Sequence, residues 1–488
     1  MAEPTFFWHD YETFGRVPRR DRPAQFAGLR TDAQLNEVGA PMMWHCQPAP
    51  DTLPDPESVL LTGILPQHAL QHGLPEYAFA ARIEAELARD GTVGVGYNSI
   101  RFDDEVTRFM FWRCLIDPYA REWQNGCGRW DLLDVVRCTW ALRPEGIVWP
   151  THGPEHESPE MRGRPSFRLE QLTTANGLAH EAAHDALNDV RATLALARLI
   201  KTHQPRLWDF CLRLRKKDAV LDEIGHGKPF VHLSGMYPVE RGCLAVVWPL
   251  AQHPTNKNEI IVWDLAHDPC ELASLDAQTV QRRLYTKQAD LPAGEQRLPI
   301  KTIHINKSPI VIGNLRTLGA AAERWSLDLD GALINAAHAQ ALGRQLDPLW
   351  PLVFARPEPQ SPPDVDEDLY GGFVGNEDRR TLQRLRALKP EQLAHKRVAF
   401  QDARLQELLF RYRARNFPGT LDEAEQERWQ QHCVARLHHG EGGALTLAFF
   451  FERVDALAAE AIEAGDERGQ AILEALVDYG QGIAPDLA

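Results

Sequence analysis

Thr5-Phe6-Phe7-Trp8-His9-Asp10-Tyr11-Glu12-Thr13 decides how this chain is read. Residues 5–9 form an apolar, aromatic run that reads as a buried strand delivering the chain to Asp10. On a strand, positions i and i+2 point to the same side, so Asp10 and Glu12 face one spot. Two carboxylates held together repel unless a cation lies between them, and hard oxygen donors suit Mg²⁺ or Mn²⁺. Taken alone, the pair also fits an ordinary surface strand end or a helix cap.

Two later segments supply partners. In Gly96-Tyr97-Asn98-Ser99-Ile100-Arg101-Phe102-Asp103-Asp104-Glu105, a strand candidate at 92–97 ends at an Asn turn and an Asp opens a helix expected through Glu105–Cys114. Asp103 is the candidate third carboxylate; capping the helix is the competing reading for it and for Asp104. In Ala183-His184-Asp185-Ala186-Leu187-Asn188-Asp189-Val190, His184 and Asp189 stand five apart at the start of an amphipathic helix expected over 186–201. Asp189 would complete the metal set. An imidazole has an intrinsic pKa near neutrality, which suits a residue of the His184 type to take a proton from water. Asp185 reads as that helix's cap. Four carboxylates and one imidazole are the inventory for two divalent metals and an activated water acting on a phosphodiester. No phosphate-binding G-x-x-x-x-G-K-[ST] loop, G-x-S-x-G elbow or H-E-x-x-H helix competes with it.

The remaining sequence bounds the architecture. At roughly 150 residues per domain, 488 residues suggest about three domains. Strand candidates at 24–31 and 38–46 and a helix at 76–89, ended by Asp90-Gly91, make the first ~200 residues α/β. Short strand candidates at 230–233, 243–248 and 259–263 mark a β-rich middle region beginning near Gln204-Pro205. The Pro-rich stretch 356–366 reads as a linker, and everything after about 376 as helical. Net charge is −15, but residues 378–415 carry eleven Lys/Arg against four Asp/Glu, either a solvated helical face or a surface that follows phosphates. The eight cysteines form no C-x-x-C pair and read as reduced thiols. Neither a signal peptide nor a membrane-spanning run is evident, so a cytoplasmic protein is expected.

The ordered set Asp-x-Glu, Asn-x-x-x-Phe-Asp and His-x-x-x-x-Asp resembles the DEDDh exonucleases, which have a ribonuclease-H-like fold. Further segments resemble the bacterial exonuclease I family over nearly the whole length: residues 9–15, 21–26, 101–108, 129–135, 141–147, 165–170, 304–307 and 412–422. The resemblance implies an exonuclease domain over 1–203, an SH3-like domain over 204–356 and a helical C-terminal domain over 357–488, forming a C-shaped clamp. It implies 3′ to 5′ removal of 5′-mononucleotides from single-stranded DNA, a role in DNA repair, and two Mg²⁺ ions (or Mn²⁺) held by Asp10, Glu12, Asp103 and Asp189, with His184 as general base. Substrate contacts implied are Glu12, Phe167, Arg168, Arg108, Trp123, Arg137, Arg143, Lys301, His304, Asn306, Lys307 and Tyr370. The implied protein partner is the acidic C-terminal tail of single-stranded-DNA-binding protein, docked through Arg143 and Phe210. A monomer is expected. The loop 151–164 looks longer than the family's. The same five residues would also serve an RNA exonuclease, and a non-catalytic strand-binding adaptor is the alternative from another class.

Overall fold

A computed structural model describes residues 4–154, 158–178, 185–225, 227–355 and 363–485. The chain divides into two compact units. One comprises Met1–Gly128, His180–Arg191 and Pro359–Ala488; the other comprises Arg129–Ala179 and Ala192–Glu358.

In the first unit, strands β1 (Thr5–Thr13), β2 (Pro23–Thr31), β3 (Met42–His45) and β4 (Thr92–Gly96) lie side by side in the order β3-β2-β1-β4. β1 is antiparallel to β2 and parallel to β4. The aromatic run expected to stop at Asp10 continues as strand to Thr13, because β2 pairs with it that far, Asp10 opposite Ala27 and Glu12 opposite Gln25. β4 accompanies β1 only from Thr5 to Trp8. Beyond Trp8 β1 is no longer paired with β4, and the two acids project from that stretch. Ends of parallel strands are where such sheets place their sites. The third strand is shorter than the 38–46 expected. Gly39 adopts a positive φ of 85° and Pro41 has no N–H to give a ladder.

Helix α1 (Glu76–Leu87) packs Phe79, Ala80 and Ile83 inward. Helix α2 (Asp103–Arg113) begins two residues earlier than expected, and helix α3 (Ala186–His203) begins at the expected place. These strands and helices are the α/β arrangement read from the sequence.

The C-terminal helices share this unit's core. Leu369, Leu382, Leu385, Leu405, Leu408 and Tyr412 join one buried cluster with Phe7, Tyr11, Phe26, Phe79 and Met110. A second cluster joins Phe14, Val59 and Ala69 to Phe450, Val454, Leu473 and Leu476. The linker reading therefore fails for 363–366, while 356–362 lie outside the described residues. Asp366 is buried and ion-paired to Arg22 (3.2 Å) and Arg415, and Asp364 accepts from Arg411 (2.8 Å). Arg415 also grips Asp51 (2.7 Å), with His432 at 3.2 Å from the same carboxylate. Burial alone would raise the Asp51 carboxyl. Arg415 and His432 instead hold it well below the ordinary carboxylate range. Several arginines of the basic run 378–415 are thus turned inward as counter-ions: Arg411, Arg413 and Arg415 all end in buried or half-buried carboxylate pairs.

The chain passes into the second unit along β5 (Gly128–Asp131), whose Asp131 accepts from the Leu133 N–H (3.0 Å) and caps the helix Leu132–Leu142. Here β6 (Phe230–Leu233), β7 (Leu244–Gln252), β8 (Glu259–Asp264), β9 (Ile300–His304) and β10 (Ile310–Ile312) form an antiparallel sheet ordered β10-β6-β7-β8-β9. Runs such as Leu244-Ala245-Val246-Val247-Trp248 are buried throughout, as β-branched and aromatic strands facing a core should be. This is the β-rich middle region expected.

Candidate active site

Asp10, Glu12 and Asp189 offer carboxylate oxygens that all lie within 4.8 Å of one another. Residue alternation along β1 brings Asp10 and Glu12 to one face and sends Tyr11 to the other. There Tyr11 packs edge-on against Phe26 (4.8 Å between centroids) and shares a hydrogen bond between its hydroxyl and Thr107 Oγ1 (2.9 Å). That contact ties α2 to β1. The tie is repeated at the backbone, where Tyr11 N–H donates to Asp103 Oδ1 (3.1 Å). Asp103 is 3% exposed and stands beside Asp10.

The sequence between β4 and α2 explains this placement. Gly96 leaves no room for a side chain, since a Cβ there would lie 2.6 Å from Ser99 Cβ. Asn98 turns the chain with a φ of 62°, a conformation Asn tolerates better than most residues. Asp104, whose helix-capping role competed with that of Asp103, is instead buried against Arg121 (2.6 Å). Asp189 sits in the first turn of α3. Asp185 caps that helix as expected, its Oδ1 accepting from Leu187 N–H (3.0 Å). Gln25, opposite Glu12 on β2, accepts at its Oε1 from the Ala186 N–H (3.3 Å) and so docks the start of α3 to the sheet. His184 lies outside the described residues.

The electrostatics follow from crowding like charges in a sheltered place. Burial, then the charges of Asp103, Glu12 and Asp189, raise the Asp10 carboxyl well above its ordinary value. Burial, then Asp189 and Asp185, push Glu12 up to about 8. Carboxylates that cannot all ionise together form a site a divalent cation would relieve, and an all-oxygen donor set suits a hard ion. A pH dependence results. An acid whose folded pKa lies above its unfolded value stabilises the fold fully below the unfolded pKa, and that stability is lost as pH rises through the folded value. In EDTA, the melting temperature is therefore expected to fall between about pH 4.5 and pH 8, the window set by Glu12. Saturating Mg²⁺ or the substitution Glu12→Gln should flatten that fall. A scan of equal slope with and without Mg²⁺ would refute the coupling.

The other candidate residues are placed as follows. In the first unit, Trp123 is 64% exposed, which leaves its indole face available rather than in the core. Arg108 is 5% exposed and paired with Glu122 (2.7 Å) and Glu105 (2.7 Å). Tyr370 lies in a short 3₁₀ turn, Asp368–Gly371, with its hydroxyl on Glu105 and receiving from Arg108 Nη1 (3.1 Å). In the second unit, Arg168 is exposed, and Phe167 stacks edge-on against Trp140 (5.2 Å). Arg137 pairs with Asp134 (2.8 Å), and Arg143 donates to the Thr317 carbonyl (3.2 Å). Lys301 stands over the Tyr237 ring (4.1 Å), its pKa brought down to about 8 mainly by burial. His304 pairs with Glu259 (3.3 Å), and the Asn306 carbonyl accepts from Arg129 (3.3 Å). Lys307 is half-buried next to the exposed Asn306. Phe210 lies under the guanidinium of Arg213 (5.2 Å). Sequence reasoning missed Gln25, Tyr11 and Thr107 as positioning residues. Their roles depend on strand register, which no single segment reveals.

Comparison with known proteins agrees with this geometry. The family described as "Exonuclease" matches residues 7–197, "Exonuclease I SH3-like domain" matches 215–356 and "Exonuclease I C-terminal domain" matches 363–483. Exodeoxyribonuclease I of Escherichia coli (strain K12) is 46% identical over 433 residues, 88% of this chain and 89% of that protein. The structure of E. coli exonuclease I in complex with a dA16 oligonucleotide has a TM-score of 0.90 at 44% identity, covering 99% of this chain and 100% of that one. The zinc-ion-bound form of the E. coli enzyme with single-stranded DNA gives 0.90 at 43%, with the same coverage. A structure of single-stranded-DNA-binding protein and exonuclease I with an inhibitor gives 0.88 at 42%, again with the same coverage. With its acids converging from β1, α2 and α3 and relatives matched over nearly the full length of both chains, this chain belongs to the exonuclease I family.

Proposed function

We propose that this protein hydrolyses single-stranded DNA from its 3′ end, releasing 5′-mononucleotides, in DNA repair and recombination in the cytoplasm. The observation that carries the reading is the convergence of Asp10, Glu12 and Asp189 within 4.8 Å, with Asp103 fixed beside them. Asp10, Glu12, Asp103 and Asp189 are assigned as ligands of two divalent cations, Mg²⁺ by preference, with Mn²⁺ also suited to the donors. When bound, the ions supply Lewis-acid neutralisation of the scissile phosphate and an acidified water. His184 takes the proton of the attacking water. The Tyr11–Asp103 and Gln25–Ala186 hydrogen bonds hold the acids in place before substrate arrives. The chain is divided as 1–203, 204–356 and 357–488, and it acts as a monomer.

Strand binding is assigned to Trp123, Phe167, Arg168, Arg137, Lys301, His304, Asn306, Lys307 and Tyr370, with Glu12 also lying at the substrate. Arg143 and Phe210 are assigned to the tail of single-stranded-DNA-binding protein, consistent with the complex solved for a relative. Base–aromatic stacking contributes about 1–3 kcal/mol per base. Trp123→Ala is therefore expected to weaken the binding of a short single strand by about that amount, read by fluorescence anisotropy in Ca²⁺. Unchanged affinity would remove Trp123 from the strand path.

Single strands labelled at either end, digested with and without EDTA, test the whole reading. The 3′ label should leave first as a mononucleotide while the 5′ label persists in a shrinking ladder, and EDTA should stop both. Early loss of the 5′ label, or indifference to EDTA, would overturn it. Matched RNA strands in the same assay discriminate an enzyme acting mainly on RNA. The intact acid cluster disfavours a non-catalytic adaptor.

A further inference from the structure

A second group of metal-ligating side chains lies in the second unit and differs in chemistry from the acids of the first. Asp268 and Cys270 follow β8, and His338 lies on the helix Leu329–Leu342. One donor atom from each lies within 4.8 Å of the other two. Asp268 Oδ1 already gathers the group: it accepts from the Cys270 N–H (3.0 Å) and lies 3.0 Å from His338 Nδ1.

Both supporting elements are pinned. Asn335, three residues before His338 on the same helix, donates to the Leu265 carbonyl (2.9 Å) just upstream of Asp268. Leu272 is buried beneath the 3₁₀ turn Pro269–Ser274, and Ala332, Ala336 and Ala339 are buried along the helix. The donors therefore stand on anchored backbone while their tips reach solvent. Cys270 is exposed, whereas the other seven cysteines are buried or half-buried.

Three donor classes meet here: carboxylate oxygen, sulfur and imidazole nitrogen. With bonds of about 2.0–2.3 Å, tetrahedral ligands lie about 3.3–3.8 Å apart. The 3.0 Å Asp268–His338 edge is already near that spacing, and small side-chain rotations bring in the sulfur. Mixed sulfur, nitrogen and oxygen sets favour Zn²⁺ and its neighbours over Mg²⁺.

We propose that Asp268, Cys270 and His338 form a second metal site, for a borderline-soft divalent ion such as Zn²⁺, with three protein ligands and the fourth position open to water. On binding, the Cys270 thiol loses its proton to solvent and the sulfur bonds the metal. The site joins the segment after β8 to the helix Leu329–Leu342, and its occupancy should raise the melting temperature of the loaded protein.

Cobalt(II) tests this, because thiolate ligation gives a charge-transfer absorption that carboxylate ligation does not. The full-length protein, in excess Mg²⁺, is titrated with Co²⁺. One equivalent should produce the thiolate band in the near ultraviolet and tetrahedral bands in the visible, all displaced by Zn²⁺. Cys270→Ser should abolish the thiolate band, and His338→Ala should weaken Co²⁺ binding at least tenfold. Asp10→Ala and Cys127→Ser should retain the full signal. Absence of the band in a large excess of Co²⁺, its persistence in Cys270→Ser, or unchanged affinity in His338→Ala would overturn the proposal. The substituted side chains reach solvent, so metal-free melting temperatures matching that of the parent confirm that the variants are folded.

Discussion

Asp189→Ala is expected to cut exonuclease turnover by about 10³-fold or more while raising, not lowering, the stability of the metal-free protein. The two effects share one cause. Asp189 helps to raise both Asp10 and Glu12, and its oxygen closes the carboxylate triangle with them. Removing it relieves repulsion in the empty cluster and takes away one ligand of the ions that neutralise the scissile phosphate. Metal neutralisation is worth several kcal/mol of transition-state stabilisation, and each 1.4 kcal/mol is about tenfold in rate. The check is paired: single-turnover digestion in saturating Mg²⁺, and thermal unfolding in EDTA near pH 8. Turnover within tenfold of the parent would remove Asp189 from the active site. A fall in melting temperature in EDTA would show that its carboxylate serves the fold instead.

Arg415→Ala should act in the opposite way, on stability foremost. Its guanidinium lies between Asp51 and Asp366, both almost fully buried. Taking one partner out of a buried ion pair leaves an uncompensated charge and costs about 3–5 kcal/mol. Both acids are held below their ordinary values, so the stability they contribute is present above the unfolded carboxylate pKa and lost as pH falls. Urea unfolding at pH 7 should show a loss in that range, with the difference between variant and parent shrinking under acid. A loss below about 1 kcal/mol would show that water or a neighbouring arginine replaces the pair. The same contacts mean that deleting residues 357–488 strips two hydrophobic clusters and the partner of Asp51, so lost activity in such a truncation reports on folding.

What was legible in the sequence was the local chemistry. Alternation on a strand makes Asp10 and Glu12 co-facial without knowledge of any other segment, and Asp189 in a first helical turn follows from Asp185 as its cap. What was not legible depended on distant partners. The pairs Arg22–Asp366 and Arg415–Asp51 join residues more than 300 positions apart. A run of arginines looks the same in sequence whether it meets phosphates or buried carboxylates. The linker misreading has the same origin: Asp364 and Asp366 look solvated until Arg411 and Arg415 arrive. The pairing of Arg108 with Glu105 and Glu122 is likewise invisible in a single segment.

The Arg415–Asp51 pair also bears on biosynthesis. Asp51 leaves the ribosome 364 residues before its counter-ion does. At roughly 5–20 residues per second, that interval is about 20–70 s. The β-rich inserted unit is made entirely within the gap, so it can assemble first while the amino-terminal half waits unsealed. A nascent polypeptide that has not yet reached the C-terminal helices thus lacks the side chains that complete both hydrophobic clusters and the counter-ion of Asp51.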